Sequence, residues 1–354
     1  MSDQTATLIE QVKDAAQQQI RLRIAGGNSK AFYGNNIEGE LLSVASHEGI
    51  VQYDPSELVI RCRAGTRLQT LQETLAEHRQ MLAFEPPAYS NKATIGGTLA
   101  CGFSGPRRPY SGSARDFVLG MQLLNGQGEQ LHLGGQVIKN VAGYDASRLM
   151  VGALGTLGVI LEVSLKVQPM PEQEITLTKE MDFSVAVTQM HQEKFRSIPI
   201  SAATYARGNA YLRLSDRAAT LDAACKRLPD WTLVENGEHF WQLWNEQQIG
   251  FFNRSDKPLW RICVPSTTPP SPITDDCFLD WGGALRWIFT TMESEELHQL
   301  AAKQQGHAIC VRKHGNTRTS FQPLSGALHR IHKNLKHAFD PHAILNVGKM
   351  YTDL

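Results

Sequence analysis

The chain has 354 residues, of which 42% are hydrophobic and 20% are charged. This length leaves room for two globular domains, each with its own hydrophobic core. Its 35 basic and 35 acidic residues give a formal net charge of zero, which argues against a protein that binds nucleic acid or another polyanion through its overall charge.

The beginning of the chain predicts a helix, a strand and a glycine loop. The apolar residues of 7–18 recur at helical spacing, and the alternation of Arg21–Ile24 is typical of a short strand that runs into Gly26 and Gly27. Residues 1–7 lack the basic start and the apolar stretch of a secretory signal, and no run of 18 apolar residues follows. We therefore expect a cytoplasmic protein.

The rest of the first half alternates between strand and helix patterns. We predict strands at 41–45, 58–63, 117–124 and 130–133, a helix at 67–77, and a long functional loop at 85–120. Asn125-Gly126 lies between the last two strands and is a strong hairpin signal. A strand at 159–167 is followed by Pro169 and Pro171, which we take as the domain boundary.

A second domain of strands and helices follows the boundary. We predict strands at 203–205 and 211–214 and helices at 218–228 and 297–305. All six tryptophans of the chain lie in this domain. Phe240, Trp241 and Trp244 fall close together on a predicted helix, where they either build the core or form a docking surface for another protein.

Three glycine loops stand out in the first half of the chain. The first, 25–30, follows a strand, and its adjacent glycines let consecutive N–H groups approach a diphosphate, although an ordinary tight turn has the same composition. It is not Gly-x-Gly-x-x-Gly, so a nicotinamide site is disfavoured. The other two loops lie at 93–105 and 152–158, and together the three indicate an extended ligand held by main-chain groups.

These loops belong to a longer series of motifs that resembles the vanillyl-alcohol-oxidase type, or PCMH type, of FAD-binding domain. The matching motifs are Gly26–Ser29, Pro86-Pro87, Thr94–Gly97, Gly112–Gly120, Val141–Asp145, Gly155–Val159 and Phe339–Asn346. The resemblance implies an α+β fold with two α+β subdomains at 1–170, a small α/β cap domain of the substrate type at 171–335, and a C-terminal segment at 336–354 that returns to the FAD domain.

Three further motifs narrow the resemblance to the FAD-binding subunits of bacterial glycolate oxidases. They are Gly105–Pro109, Lys139–Asp145 and Asp280–Trp287. The resemblance implies a subunit that oxidises glycolate to glyoxylate together with a larger flavoprotein subunit and an iron–sulfur subunit, and that reaches the inner membrane only through that complex. The alternatives are a stand-alone FAD-dependent 2-hydroxy-acid oxidoreductase and a structural subunit that has kept the fold without redox work.

The resemblance also implies which residues hold the cofactor. The implied FAD-binding residues are Gly26, Gly27, Asn28, Ser29, Pro87, Thr94, Gly96, Gly97, Gly143, Tyr144, Gly155, Gly158 and Val159. Some relatives attach FAD covalently through a histidine beside the first loop, but Ile24 and Ala25 precede Gly26 here. We therefore predict non-covalent FAD.

Residues for acid–base chemistry are sparse. The related larger subunits carry a His-x-Gly-Asp-Gly-Asn-x-His stretch, whereas residues 313–317 of this chain read Lys-His-Gly-Asn-Thr. His314 is the remaining candidate base, and a single loop histidine is more often a solvated polar residue. Candidate carboxylate-binding arginines are Arg107, Arg108, Arg115 and Arg286. The alternative is that Arg115 pairs with Asp116 or another structural acid and that Arg107 and Arg108 face solvent. Weaker histidine candidates are His191, His239, His298, His307 and His332.

The six cysteines do not suggest a metal site. None of them forms a Cys-x-x-Cys pair, the usual spacing of zinc and iron–sulfur ligands. We predict reduced thiols and no metal bound by this chain. Iron–sulfur centres, if electrons pass through them, belong to another subunit.

Overall fold

The computed structural model of the chain describes residues 2–135, 146–190, 197–254, 256–269, 277–315 and 320–354. Both helices and strands are well represented, as expected for the α+β class. Within these ranges no helix is long and apolar enough to cross a membrane.

The regular elements are given in chain order. The helices are α1 (Thr5–Gln18), α2 (Leu68–Glu77), α3 (Ile95–Cys101), α4 (Arg108–Ser111), α5 (Ala114–Phe117), α6 (Ala146–Leu149), α7 (Phe183–Gln189), α8 (Ala218–Lys226), α9 (Gly237–Asn245), α10 (Ser294–Lys303) and α11 (Gly326–Phe339). The strands are β1 (Leu22–Ala25), β2 (Glu40–Ser43), β3 (Ile50–Asp54), β4 (Val59–Arg63), β5 (Gln80–Met81), β6 (Val118–Leu124), β7 (Gln130–Gly134), β8 (Val159–Lys166), β9 (Gln168–Pro169), β10 (Gln173–Glu180), β11 (Ile200–Ala206), β12 (Asn209–Asp216), β13 (Thr232–Leu233), β14 (Leu259–Cys263), β15 (Cys277–Asp280), β16 (Leu285–Phe289) and β17 (His307–Arg312). Short 3-10 helices occupy Gly250–Asn253 and Trp281–Gly283.

The chain divides into two compact units. The first unit contains Met1–Phe103, Ser113–Pro169 and Pro323–Leu354, and the second contains Ser104–Gly112 and Met170–Gln322. The short segment Ser104–Gly112 therefore belongs with residues that resume only at Met170. The sequence analysis did not predict that this segment belongs to the second unit, because the segment has no apolar periodicity of its own.

The first unit is built on a five-stranded antiparallel sheet in the order β3-β4-β8-β6-β7. Its main core includes the apolar face of α2, where Leu68, Leu71 and Leu75 are fully buried. The predicted hairpin at Asn125-Gly126 is present, since β6 and β7 pair in antiparallel register.

The first glycine loop follows β1 in a smaller part of the first unit. Strands β1 and β2 pair in parallel, and Leu22 forms a further parallel bridge to Leu345 in the C-terminal segment. Helix α1 buries Leu8 and Val12 against this group. The C-terminal segment therefore pairs with β1 and packs beside it.

The second unit is built on an eight-stranded sheet in the order β13-β10-β12-β11-β15-β16-β14-β17, and all of its recorded strand pairs are antiparallel. Helix α9 buries Trp241 and Trp244, and the rings of Trp244 and Phe278 stack at a centroid distance of 5.5 Å. These aromatic residues build the core of the unit and are not a docking surface.

The structure differs from the sequence-based expectation between residues 85 and 120. We predicted loop there, whereas α3, α4 and α5 are helical. The composition of α3, Ile-Gly-Gly-Thr-Leu-Ala-Cys, has low helix propensity because two of its seven residues are glycine. Burial of Ile95 and Leu99 in the main core compensates for that low propensity.

Candidate functional site

The three glycine loops line one cavity of about 360 Å³ in the first unit. That volume lies within the usual range for small-molecule sites. Much of its wall is main chain, because the loops around Gly26, Gly97 and Gly155 contribute little side-chain bulk.

The first and second loops are packed directly against each other. A Cβ atom added at Gly27 would overlap the Lys92 carbonyl group, and one added at Gly26 would overlap the Thr94 hydroxyl group. Both positions therefore need glycine for the packing of the protein itself. Their closeness brings the backbone of 26–29 and the start of α3 to the same cavity.

Helix α3 presents one glycine to its neighbours and one to open space. Thr94 caps the helix by accepting a hydrogen bond from the Gly97 N–H at 3.3 Å. A Cβ atom at Gly96 would come within 2.6 Å of the Ala64 Cβ, whereas one at Gly97 would meet only the Thr94 hydroxyl, at 3.2 Å. Gly97 is thus a position from which a longer side chain can enter the cavity.

The third loop is fastened to the first by a side chain from the C-terminal segment. The buried Asn346 accepts a hydrogen bond from the Ile24 N–H at 2.8 Å and donates one to the Leu154 carbonyl at 2.6 Å. Gly155 has a φ of +72°, and a Cβ atom there would lie 2.8 Å from the Asn346 amide nitrogen. Glycine is required both by this backbone conformation and by the close approach of Asn346.

A buried ion pair supports the same loop from α11. The Lys336 ammonium donates to the Asp340 carboxylate at 2.6 Å, to the Thr156 carbonyl at 2.8 Å and to the Leu345 carbonyl at 2.7 Å. Burial lowers the pKa of Lys336, and the charge of Asp340 acts in the opposite direction. With its three donors used, this lysine joins the third loop, the helix and the C-terminal segment.

The charged side chains on the cavity wall are all cationic. They are Arg23, Lys30 and Lys349, and the described lining residues include no aspartate or glutamate. Burial raises the pKa of the neighbouring Cys101 thiol to about 11, although Lys30 and Lys349 act to lower it. The cavity therefore combines exposed main-chain groups with positive charge, which suits an anionic ligand such as a diphosphate.

Most of the predicted cofactor residues lie on this wall. The lining includes Gly26, Gly27, Asn28, Ser29, Thr94, Gly96, Gly97, Gly155 and Gly158. Pro87 and Val159 are buried and are not among the lining residues, and Gly143 and Tyr144 lie outside the described part of the chain. The sequence analysis missed Arg23 and Lys349, which carry no motif of their own.

The arginines predicted to bind a carboxylate are mostly engaged by the protein. Arg107 is buried and forms an ion pair with Glu174. Arg286 is also buried, and its guanidinium donates to the carbonyl groups of Thr268 and Pro269. We interpret these two residues as structural, because the terminal guanidinium nitrogens of both already donate to acceptors within the protein.

Arg108, Arg115 and His314 are exposed, whereas His298 is buried. The Arg108 guanidinium lies 4.2 Å from the centre of the Trp281 ring. Arg115 donates to the Arg148 carbonyl at 3.5 Å, and His314 is exposed just after β17. His191 lies outside the described residues. Across the ranges that the structure covers, no group of three or more His, Cys, Asp or Glu side chains is arranged to hold a metal ion.

Comparison with known proteins gives consistent matches. A family model described as an FAD binding domain matches residues 2–134. The glycolate oxidase subunit GlcE of Escherichia coli strain K12 is 43% identical over 352 residues, which cover 99% of each chain. The glycolate oxidase subunit GlcD of Bacillus subtilis strain 168 is 35% identical over 142 residues, or 40% of this chain and 30% of that protein. The solved structure of 4-ethylphenol oxidase from Gulosibacter chungangensis shares the fold, with a TM-score of 0.70, 14% identity, and coverage of 99% of this chain and 88% of that one.

Proposed function

Because this chain belongs to the family of the glycolate oxidase subunit GlcE, we propose that its glycine-loop cavity holds FAD within a complex that oxidises glycolate. The chain is an FAD-binding oxidoreductase subunit with the vanillyl-alcohol-oxidase type of fold, as the sequence motifs predicted. The observation that carries the site assignment is the cavity itself, where three glycine loops and three cationic side chains meet.

The cavity suits FAD in its charge and in its main-chain surface. We assign the diphosphate to the loop Gly26–Ser29, whose residues line the cavity and where Lys30 adds positive charge. Arg23 and Lys349 extend that positive charge along the wall. No histidine occurs among the described lining residues, which supports non-covalent binding.

A bound FAD supplies a two-electron acceptor for the hydride that leaves the α-carbon of a 2-hydroxy acid. The residues of this chain bind and orient that cofactor. The proton from the substrate hydroxyl group needs a base. This chain lacks the His-x-Gly-Asp-Gly-Asn-x-His stretch, and His314 is a single exposed loop histidine. We therefore assign the acid–base step to a larger partner subunit.

The relative GlcE is named as a subunit, which supports a multi-subunit assembly for this chain as well. We propose that the assembly contains a larger flavoprotein and an iron–sulfur subunit that receives the electrons. Attachment to the inner membrane, in this proposal, is a property of the partners.

The site assignment is tested with a pair of Gly→Leu variants. Gly97→Leu directs a side chain from α3 into the cavity, whereas Gly326→Leu makes the same change at an exposed position of α11 where a Cβ meets nothing within 4 Å. We expect Gly97→Leu to lose most of its bound flavin and Gly326→Leu to keep it, as measured by absorbance after purification. Full flavin content in both folded variants would refute the assignment.

Acid precipitation provides a separate test of the bond between flavin and protein. We expect all of the flavin in the supernatant, because the binding is non-covalent. Flavin that remained in the washed pellet would contradict this part of the proposal.

A further inference from the structure

A second cavity, of about 120 Å³, lies on the five-stranded sheet of the first unit. We refer to it as the sheet cavity. The polar residues that line it are Arg61, Gln122, His132, Glu162 and Ser164. The described residues that line the sheet cavity share no member with those that line the glycine-loop cavity. The sheet cavity is therefore a separate candidate site, which the proposed function does not use.

Strand register brings the lining side chains together. Arg61 in β4 is opposite Ser164 in β8, which is opposite Gly120 in β6. Gly120 is in turn opposite Gly134 in β7. Side chains in such a row lie on the same face of the sheet. The row therefore places a guanidinium group and a hydroxyl group beside two positions that have no side chain, and glycine at these positions leaves room for the cavity.

The charge of Glu162 is compensated by its own neighbours on the sheet. Its carboxylate oxygens lie 3.8 Å from the Nε atom of Arg61 and 3.8 Å from that of Arg63. The Gln122 side-chain amide donates a hydrogen bond to the same carboxylate at 3.3 Å. Arg63 also pairs with Asp3, at 2.9 Å. Glu162 thus faces the Nε edge of Arg61, and the terminal nitrogens of that guanidinium are not needed to neutralise it.

Two polar groups on the cavity wall lack a hydrogen-bond partner in the described part of the chain. One is the Arg61 guanidinium, whose Nε atom is buried while the side chain as a whole is 25% exposed. The other is the hydroxyl group of the buried Ser164. Buried polar groups are normally hydrogen-bonded, because the loss of water is costly when no partner replaces it. A ligand that bonds to both groups would remove this cost.

We propose that the sheet cavity binds a small carboxylic acid that also carries a hydroxyl group. Arg61 binds the carboxylate, because a guanidinium group can engage a carboxylate with two parallel hydrogen bonds. Ser164 binds the hydroxyl group. The cavity has the volume of about four water molecules, so acids of two or three carbon atoms fit. The site is one for binding only, and it is independent of the cofactor assignment because the two cavities share no described lining residue.

The test compares glycolate with acetate, which has the carboxylate but lacks the hydroxyl group. Saturation-transfer NMR on the FAD-loaded full chain measures both Kd values. The wild type should bind glycolate about three- to tenfold more tightly than acetate, because the hydroxyl group adds one hydrogen bond. Arg61→Gln should raise both Kd values by about tenfold or more, since it removes a charge-assisted contact. Ser164→Ala should raise the Kd of glycolate to that of acetate and leave the Kd of acetate unchanged.

Lys166→Gln is the matched control. It removes a positive charge from β8 at a position that does not line the sheet cavity, and it should change either Kd by less than about twofold. Equal weakening in Arg61→Gln and Lys166→Gln would refute the site, because it would show an effect of overall charge. Unchanged Kd values in Arg61→Gln, or a wild type that binds neither acid, would also refute it.

The remaining outcomes separate the site from the cofactor proposal. If Arg61→Gln does not fold, Ser164→Ala decides the question, since equal weakening of glycolate and acetate in that variant would refute the site. Flavin content should match the wild type in every variant. A wild-type chain that contains FAD but binds no acid refutes the sheet-cavity site alone, whereas one that binds the acids but no FAD refutes the proposed function alone.

Discussion

The cavity of the first unit and the Glu174 cluster of the second unit use partly buried cations for opposite purposes. In the first unit, Arg23 and Lys349 line a cavity whose described wall contains no carboxylate. In the second, the buried Arg107 and Arg213 lie beside Glu174, so that their charges are compensated within the protein. A buried cation next to a carboxylate stabilises the fold, whereas cations gathered around a cavity indicate a ligand that brings the negative charge.

The same comparison explains why residue type alone misled the search for substrate-binding residues. Arg107 has the guanidinium group that carboxylate recognition needs, but this group already forms an ion pair with Glu174. Burial acts to raise the pKa of Glu174, yet the charges of Arg213 and Arg107 outweigh burial and hold the pKa below its usual range. The carboxylate that Arg107 binds thus belongs to the protein.

The largest expected effect concerns Lys336, a compensated cation within the cavity-bearing unit. Lys336→Met leaves the Asp340 carboxylate buried without its partner, and we expect a loss of about 3–5 kcal/mol in the free energy of unfolding. Urea denaturation measures this loss. Lys333→Met is the control, because its ion pair with Asp353 is about half exposed at both ends and should contribute at most about 1 kcal/mol. Equal losses in the two variants would contradict the distinction.

A second variant separates stability from cofactor binding. Glu174→Gln removes the carboxylate shared by Arg107 and Arg213. We expect the free energy of unfolding to fall by about 1–3 kcal/mol, a moderate loss because the side chain of Glu174 is about a third exposed. Flavin content should remain that of the wild type. A variant that loses flavin while it stays folded would break the division between the two units.

The opposite pattern is expected for Arg23. Arg23→Gln should weaken FAD binding by about three- to tenfold, with a larger effect at low salt, and should change the unfolding free energy little. Fluorescence titration of the FAD-free chain measures the Kd. Arg21→Gln, two positions earlier and exposed, serves as the matched control. An equal change in the Kd of both variants would mean that the overall charge of the protein, and not the position of Arg23, determines the effect.

The smallest effect is a pH dependence that involves His47. This buried ring accepts a hydrogen bond from the Gln4 N–H at 3.1 Å, and burial lowers its pKa from the usual 6.5 despite the nearby Asp3 carboxylate. The unfolded chain therefore binds a proton more readily than the folded one, so stability is complete above about pH 6.5 and falls as the pH decreases below it. The slope cannot exceed about 1.4 kcal/mol per pH unit for one proton.

A set of denaturation curves between pH 5 and 8 tests this prediction. The slope below pH 6.5 should be shallower in His47→Gln than in the wild type, because glutamine does not titrate. An unchanged slope would assign the pH dependence to other groups.

Sequence periodicity was enough to predict the elements that bury one regular face. Helix α2 and strand β8 were located within one or two residues, because leucine spacing and apolar alternation are local properties. Strand β3 was missed, since Ile50–Asp54 is only partly buried and its pattern is weak. Helix α3 was missed because burial of Ile95 and Leu99 in the core stabilises it, and its glycine-rich sequence does not predict a helix.

The candidate site was predicted in its glycines but not in its charges. The glycine loops have recognisable sequence patterns, whereas Lys349 joins the cavity from a position more than 300 residues beyond the first loop. In the same way, the sequence offered Arg107, Arg108 and Arg286 as equals. Only the packing of the second unit shows that Arg107 is paired with Glu174, that Arg286 donates to main-chain carbonyl groups, and that Arg108 lies over the buried Trp281 ring.

The hydrogen bond between Asn346 and Ile24 joins residues 322 positions apart. During synthesis the glycine loop leaves the ribosome first, and at 5–20 residues per second it waits on the order of tens of seconds for Asn346. A nascent chain shorter than this has no finished cavity, and flavin loading must follow translation.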